Sequence, residues 1–210
     1  MVVAGLGPGA EDMVTPEVSA ALAEATDVVD YGPYVARVAP RAGLVLHPSD
    51  NRVELDRARA ALEMAASGRR VVVVSSGDPG VFAMAAALFE ALEARADWQG
   101  IELRVLPGIT AMLAAAAAAG APLGHDFCAI NLSDNLKPFD MVLDRVRLAV
   151  EGDFAMAFYN PRSKARPGQF GEVLDLLRRL CEPARLVIFA RAVSTPDQQI
   201  HTVPLADATP

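Results

Sequence analysis

Three glycine-bearing loops constrain the fold of this chain most, because each directly follows an apolar run typical of a buried strand. The first glycine loop, residues 5–9, follows residues 1–4; the second, residues 75–80, follows a valine run; and the third, residues 106–111, follows residues 101–106. Parallel strands bring the loops at their carboxyl ends to one edge of a sheet, which is where open α/β sheets bind small molecules. The sequence therefore predicts a ligand site made largely of bare main chain.

The composition indicates a globular α/β protein and excludes several classes. Of the 210 residues, 52% are hydrophobic and 21% are charged, which suits a buried core. The net charge of −7 and pI of about 5.0 argue against binding to nucleic acid or to an anionic membrane. No apolar run is long enough to span a bilayer, and no basic segment precedes the first apolar residues, so we expect a cytoplasmic protein.

Cysteine and histidine positions predict neither a disulfide framework nor a metal site. Cys128 and Cys181 lie far apart, without the spacing of a zinc ligand pair. His47, His125 and His201 are isolated from one another, and His125, beside Asp126, is the one to test. The chain also lacks the motifs of P-loop NTPases, zinc proteases and α/β-hydrolases.

Alternating apolar runs and helical periodicities predict two α/β lobes, the first with a mostly parallel sheet. We place the boundary in the segment 120–124, which gives lobes of residues 1–120 and 121–210. Strands are expected at residues 1–4, 27–31, 44–47, 70–75, 101–106, 127–132, 154–159, 185–190 and 199–203, with helices at 16–25, 53–67, 81–96, 110–119, 139–150 and 170–180.

Asp78 and Thr110 are the polar residues of the second and third glycine loops. Asp78 is expected to cap a helix that begins at Pro79, with or without a ligand contact, and would leave the helix N-terminus facing the ligand. Thr110 is expected either to cap the next helix or to donate to a ligand. Asp30 stands where a dinucleotide-binding fold has its ribose-binding acid, so a nucleotide-dependent oxidoreductase remains an alternative.

Two further loops follow predicted strands and carry aromatic or basic side chains. Tyr31 and Tyr34 lie on an aromatic ligand or close a turn over the core. Residues 159–166 add Tyr159 and Asn160 and then a group of cations that could hold an anionic substrate.

Taken in order, the motifs resemble the tetrapyrrole methylase family, whose members are S-adenosylmethionine-dependent methyltransferases with two α/β lobes and the cofactor folded between them. The resemblance covers the chain from Val2 onward. The motifs are Gly5-Leu6-Gly7-Pro8-Gly9 with Thr15-Pro16, Ser76-Gly77-Asp78-Pro79, Pro107-Gly108-Ile109-Thr110-Ala111 and Phe158-Tyr159-Asn160-Pro161.

Within that family, residues 31–34, 124–134 and 159–163 are similar to the branch that methylates C17 of precorrin-3B, or of its cobalt-containing counterpart. The resemblance implies methylation with ring contraction to precorrin-4 in cobalamin biosynthesis, and a homodimer. Methylation at C11 or C20, or of cobalt-factor III, is the alternative. Family members continue into another strand beyond the segment 202–207, so the second lobe is expected to lack a final strand.

The resemblance also implies roles for particular residues. Methyl transfer from a sulfonium needs positioning and no protein nucleophile, whereas ring contraction needs a general acid or base. The acid or base candidates are Asp78, His125, Ser133 and Asp134. The cofactor contacts would be Pro8, Gly77, Asp78, Val81, Thr110, Ala111, Tyr159, Asn160, Ala192 and Thr202. Candidates for binding the tetrapyrrole are Tyr31 and Tyr34, with Arg37, Lys137, Arg162, Lys164 and Arg166 for its carboxylates.

Two other classes remain to be discriminated. A ribosomal RNA or diphthine-type substrate is possible on the same fold, but the acidic pI and the absence of interleaved basic and aromatic residues count against RNA. A non-enzymatic interaction module would bind neither S-adenosylhomocysteine nor a nicotinamide cofactor.

Overall fold

The computed structural model describes residues 1–50 and 53–210, which group into two compact units. Unit 1 contains residues 1–114 and 192–196, and unit 2 contains residues 115–191 and 197–210. The sequence places the lobe boundary after residue 120. The compact units change at residue 115, and the short segment 192–196 is grouped with unit 1 although it lies late in the chain.

Unit 1 is built on a five-stranded sheet with the strand order β3-β2-β4-β1-β5. The strands are β1 (Val2–Gly5), β2 (Asp27–Tyr31), β3 (Val45–Ser49), β4 (Val71–Ser75) and β5 (Arg104–Leu106). Every pairing between them is parallel, so the predicted α/β class and parallel sheet are confirmed. Strand β4 is buried along its whole length, as expected of a valine run without polar alternation.

Helices cover both faces of this sheet. They are α1 (Pro16–Glu24), α2 (Gly32–Val35), α3 (Glu54–Ala66) and α4 (Met84–Glu93). Helix α5 (Ala111–Ala118) follows the third glycine loop and contains the change of unit. Thr15 caps α1 by accepting a hydrogen bond from the Val18 amide at 3.3 Å. One core contains Leu62 and Leu88, and the core on the other face contains Val18 and Val74.

Unit 2 contains two pairs of strands and two long helices. Strands β6 (Phe127–Asn131) and β7 (Ala155–Tyr159) pair in parallel, and β8 (Leu186–Arg191) and β9 (Gln199–Pro204) pair antiparallel. Helices α6 (Phe139–Glu151) and α7 (Gln169–Leu180) pack an apolar face on a core that includes Leu132, Val142 and Leu174.

One expected helix begins later than its sequence predicts. Helix α4 starts at Met84, whereas Asp78 and Pro79 suggest a start at Pro79. The carboxylate of Asp78 bonds to other backbone amides, and Phe82 takes a left-handed conformation with φ of 53°. The chain therefore makes irregular turns over residues 79–83 before the helix begins, and the predicted helix N-terminus does not form at the second glycine loop.

Candidate cofactor and substrate site

The first and second glycine loops are joined through their backbones at the carboxyl ends of β1 and β4. The amide of Gly7 donates to the carbonyl of Gly77 at 3.2 Å, and the amide of Gly77 donates to the carbonyl of Gly7 at 2.9 Å. Both glycines have φ of +66°, in the left-handed region that side chains disfavour. The loops predicted to lie at one edge are therefore in direct contact.

The third glycine loop packs on the other two through glycine positions. A Cβ built on Gly108 would lie 2.2 Å from the Gly77 carbonyl oxygen, and one built on Gly5 would lie 2.5 Å from that same oxygen. Real Cβ atoms do not approach this closely, so the packing of these three backbones requires glycine at both positions. The spacing of glycines in the sequence thus encodes a contact of three strand ends.

Asp78 connects the second loop to the third. Its Oδ1 accepts a hydrogen bond from the Gly80 amide at 2.8 Å, and its Oδ2 accepts one from the Gly108 amide at 3.0 Å. Both carboxylate oxygens therefore bond to main chain, which makes Asp78 a brace between loops rather than the predicted helix cap.

Arg37 holds the first glycine loop, although the resemblance suggested that it binds substrate carboxylates. Its guanidinium donates to the carbonyls of Leu6 at 2.5 Å, Gly7 at 3.1 Å and Gly9 at 3.3 Å. Desolvation lowers the pKa of this side chain. A guanidinium that donates to three loop carbonyls is already committed to shaping the loop.

The other predicted cofactor residues of unit 1 lie on or beside these loops. Thr110 is buried, and its carbonyl accepts the first hydrogen bonds of α5, from the amides of Leu113 and Ala114. Ala192, with a left-handed φ of 49°, opens the segment 192–196, whose Ser194 hydroxyl accepts a hydrogen bond from the Ala10 amide at 3.0 Å. Pro8 lies in the first loop, Val81 follows the second, and Ala111 begins α5 and is exposed.

Asp30 does not have the environment of a ribose-binding acid. It is 1% exposed, and its Oδ1 accepts from the Tyr31 amide at 2.5 Å and from Arg57 Nη1 at 3.1 Å. Burial raises its pKa to about 6, against the opposing effects of the Tyr31 amide and Arg57. An acid enclosed in this way cannot reach cofactor hydroxyls, which removes the feature that favoured a nucleotide-dependent oxidoreductase.

Tyr31 and Tyr34 lie against each other at the end of β2. Their rings meet edge to face with centroids 5.4 Å apart, and α2 occupies the place where the sequence suggested a simple turn. Burial, followed by the charge of Asp30, raises the pKa of Tyr34. Both side chains are partly exposed, so a ligand contact remains open to them.

In unit 2, the carboxyl ends of β6 and β7 carry a polar cluster. Asn160, with φ of 51°, directly follows Tyr159, and its Nδ2 donates to Asn131 Oδ1 at 3.1 Å. The same oxygen accepts from the amide of Ser133 at 2.9 Å. Asn131 therefore ties the loop after β6 to the loop after β7.

The loop after β6 carries three predicted site residues, of which Asp134 reaches the loop before α7. Ser133 is buried, and its carbonyl accepts from Lys137 Nζ at 3.0 Å. Asp134 lies 3.5 Å from Arg166 Nε and accepts from Gln169 Nε2 at 2.9 Å. Ser133, Asp134, Lys137 and Arg166 therefore lie in one polar cluster.

The remaining predicted residues of unit 2 lie elsewhere or stay at the surface. His125 precedes β6, so it is at the opposite end of that strand from Ser133 and Asp134, and its side chain is 80% exposed. Thr202 lies within β9, opposite Ile188. Arg162 and Lys164 are exposed on the same loop as Arg166, where Ser163 and Arg166 close a tight turn.

Comparison with known proteins decides the family. The model of the Tetrapyrrole (Corrin/Porphyrin) Methylases matches residues 1–209. The chain belongs to the tetrapyrrole methylase family. This tetrapyrrole methylase is 52% identical over 209 residues to a precorrin-3B C(17)-methyltransferase of Sinorhizobium sp, covering 99% of this chain and 82% of that protein.

Solved structures agree with this placement. The crystal structure of the methyltransferase CobJ matches with a TM-score of 0.97 and 76% identity, covering 99% of this chain and 87% of that chain. The fold is also shared with a uroporphyrin-III C-methyl transferase of Thermus thermophilus complexed with S-adenyl homocysteine, at a TM-score of 0.71 and 20% identity, covering 98% of this chain and 83% of that chain. The family resemblance inferred from the sequence motifs is confirmed.

None of the helices that the structure describes in this tetrapyrrole methylase has the length and apolar character of a membrane span.

Sequence reasoning missed residues that act on the site only through tertiary contacts. Gln169 begins α7 and bonds to Asp134 across 35 positions of sequence, and Ser194 reaches the first glycine loop from 184 positions away. No local pattern in the sequence marks either residue.

Proposed function

We propose that this protein transfers a methyl group from S-adenosylmethionine to C17 of precorrin-3B, with ring contraction to precorrin-4, in cobalamin biosynthesis. The observation that carries the proposal is the convergence of three glycine loops at neighbouring strand ends, in a chain 52% identical to a precorrin-3B C(17)-methyltransferase. Cobalt-factor III and the C11 and C20 positions remain the alternative targets within the family.

The residues at this edge fit a nucleoside cofactor bound through main chain. The three loops meet through glycine backbone at Gly5, Gly77 and Gly108, and Ala111 beside them is small and exposed. A Cβ on Gly77 would stand 3.5 Å from Thr110 Cα and 3.6 Å from the Ala111 amide, so the second loop also packs closely against the start of α5. Our proposed cofactor contacts at these loops are Pro8, Gly77, Asp78, Val81, Thr110, Ala111 and Ala192, while Tyr159, Asn160 and Thr202 remain contacts implied by the family resemblance.

The bound cofactor supplies an electrophilic methyl group, and the protein supplies geometry. Asp78 and Arg37 fix the shapes of the loops, which lowers the cost of ordering them when cofactor binds. Loops held in fixed shapes would restrict the orientation of a bound cofactor relative to the substrate, and such positioning accounts for much of the rate enhancement in reactions of this kind. No protein nucleophile is needed for that step.

The substrate is an anionic tetrapyrrole, and we propose that Tyr31 and Tyr34 lie on its ring while Lys137, Arg162, Lys164 and Arg166 meet its carboxylates. Planar guanidinium groups suit carboxylates because they donate two parallel hydrogen bonds. Arg37 is not among these residues, because its guanidinium already donates to carbonyls of the first glycine loop.

Ring contraction also requires movement of a proton from an oxygen substituent. The predicted acid or base residues are Asp78, His125, Ser133 and Asp134, of which Ser133 and Asp134 lie within the polar cluster of unit 2. The homodimer and the cytoplasmic location remain predictions drawn from the resemblance and from the composition.

Two measurements test the proposed function. Calorimetric titration should show binding of S-adenosylhomocysteine and none of a nicotinamide dinucleotide. Incubation of precorrin-3B with labelled S-adenosylmethionine should then yield a methylated product, with the label located at C17. An unchanged substrate mass under conditions that support cofactor binding contradicts the C17 assignment, and binding of neither cofactor contradicts a methyltransferase altogether.

A further inference from the structure

The acidic residue of the unit 2 cluster contacts two neighbouring side chains. Asp134 Oδ2 accepts a hydrogen bond from Gln169 Nε2 at 2.9 Å, and Oδ1 lies 3.5 Å from Arg166 Nε. Gln169 begins α7 and Arg166 ends the tight turn with Ser163, so Asp134 fixes the side chains of two different segments. These contacts use the carboxylate to hold the guanidinium of Arg166 in one orientation.

The guanidinium that Asp134 holds is incompletely satisfied. Arg166 Nη1 is buried and has no hydrogen-bond partner within the part of the chain that the structure describes, while the side chain as a whole remains 15% exposed. A buried donor without an acceptor destabilises a folded protein, so proteins seldom keep one unless a ligand or water completes it. Gln169, which also contacts Asp134, leaves a buried acceptor, Oε1, without a partner among the described residues. The unmet donor is on Arg166, and a ligand that completes it supplies an acceptor.

The charge around Arg166 selects an anionic acceptor. Burial lowers the pKa of Lys137, and the nearby positive charges of Arg145 and Arg166 lower it further, against the opposite effect of Asp134. Lys137 and Arg166 thus lie close enough to influence each other beside Asp134, in a molecule whose net charge is −7. The local excess of positive charge is suited to a ligand carboxylate.

We infer that Arg166 binds a peripheral carboxylate of the tetrapyrrole substrate, and that Asp134 is its positioning residue rather than the general acid or base. The inference rests on the proposed function for the identity of the substrate. Asp134 lies at the Nε side of the Arg166 guanidinium, and the substrate carboxylate would bond to the opposite, Nη side. Lys137, whose ammonium donates to the Ser133 carbonyl, adds its charge to the same subsite.

The test compares Arg166→Met, Arg166→Lys and Asp134→Asn with the parent protein. Arg179→Gln serves as the matched control, because Arg179 is an exposed arginine of the same unit, on α7. Steady-state kinetics should show KM for precorrin-3B raised on the order of ten- to a hundredfold in Arg166→Met, with kcat changed far less. Arg166→Lys should restore part of the loss, and Arg179→Gln should match the parent.

Asp134→Asn separates positioning from proton transfer. A positioning role raises KM and leaves the pH profile of kcat unchanged, because the amide still accepts from one neighbour but loses its charge. A fall in kcat with a missing limb of the pH profile would show that Asp134 moves the proton, and an unchanged KM in Arg166→Met would overturn the subsite.

Folding and the proposed function are controlled separately. Calorimetric titration with S-adenosylhomocysteine should give the parent affinity in every variant, and urea unfolding with the parent midpoint shows that the mutated unit is folded. Quenching of uroporphyrin fluorescence, compared with its uncharged octamethyl ester, tests the subsite without catalysis. Tighter binding of the acid than of the ester, weakened in Arg166→Met, supports the subsite; equal binding contradicts it. Failure of the parent to bind S-adenosylhomocysteine contradicts the proposed function and leaves this comparison valid.

Discussion

At the scale of single residues, Gly108 is the strictest requirement of the site. The nearest atom to a Cβ at this position would be a backbone oxygen, which cannot rotate away as a side chain can. Gly108→Ala is therefore expected to destabilise the protein by about 3 kcal/mol or more, since overpacking against backbone costs at least as much as overpacking a core. Urea unfolding measures the loss.

Gly100→Ala is the matched control for that substitution. A Cβ at Gly100 would meet nothing within 4 Å, and its φ lies outside the left-handed region. Its unfolding free energy should stay within about 0.5 kcal/mol of the parent value, as for surface changes in general. Equal effects of the two substitutions would show that the three glycine loops do not pack backbone to backbone.

Asp30 is expected to give the protein an unusual dependence of stability on pH. Its pKa is raised to about 6 in the folded state from an ordinary value of 3.8, because burial outweighs the Tyr31 amide and Arg57. At a pH between these two pKa values, Asp30 holds its proton in the folded protein and has lost it in the unfolded chain. Protonation of Asp30 therefore stabilises the folded state increasingly as the pH falls from about 7 toward 4. The effect is on the order of 2 kcal/mol.

Asp30→Asn isolates that contribution, since the amide does not titrate. Unfolding free energies of the parent and variant are compared between pH 7.5 and pH 4.5. The parent should gain stability relative to the variant as the pH falls, even while other carboxylates, such as Asp27 with its lowered pKa, act in the opposite direction in both proteins. Parallel curves would mean that the Asp30 pKa is not raised.

At the scale of elements, Arg37 connects the helical turn after β2 to the first glycine loop. Arg37→Met removes donors to the carbonyls of Leu6, Gly7 and Gly9 and so loosens the loop. We expect S-adenosylhomocysteine affinity to fall about tenfold or more, because each hydrogen bond to a charged group contributes about 1.5–3 kcal/mol. Calorimetry measures the affinity, and steady-state kinetics measures KM for the tetrapyrrole.

The two roles considered for Arg37 make opposite predictions for that variant. A loop-shaping residue changes cofactor affinity first. A residue that binds substrate carboxylates changes KM for the tetrapyrrole and leaves cofactor affinity unaltered. The latter pattern would restore the role that the family resemblance suggested.

Strand positions could be predicted closely because each strand carries its own signal. The apolar runs place β2 at its observed bounds and β4, β7 and β8 within a residue or two. The start of α4 could not be predicted in this way. Asp78 followed by Pro79 is a good local start signal, but the Gly108 amide, 30 residues away, occupies the Asp78 carboxylate.

At the scale of the whole molecule, net charge opposes the substrate that the local cluster attracts. The protein carries −7 and the proposed tetrapyrrole is also anionic, so long-range repulsion slows their encounter at low salt. At 0.1 M salt, charges more than about 10 Å apart are largely screened from each other. The direct contact of Arg166 with a carboxylate is much shorter than this distance, so salt weakens it less. We expect kcat/KM to rise about twofold or more between 10 and 150 mM salt.

The same series of salt concentrations also tests the polar cluster around Arg166. In Arg166→Met the rise with salt should persist, since the net charge becomes still more negative, while the absolute kcat/KM is lower at every salt concentration. A steady fall of kcat/KM with salt in the parent would show that local attraction governs association.

Apolar periodicity and glycine position are local properties of the chain, so the α/β class, the succession of strands and long helices, and the loops at the sheet edge could be read from the sequence, whereas the short helix α2 could not. Only the tertiary structure decided which polar groups meet. Asp30 pairs with Arg57, and Arg37 donates to carbonyls of the first glycine loop. His125 lies at the opposite end of β6 from Asp134. Hydrogen bonds and burial depend on residues far apart in sequence, and charge alone does not reveal which partner a side chain finds.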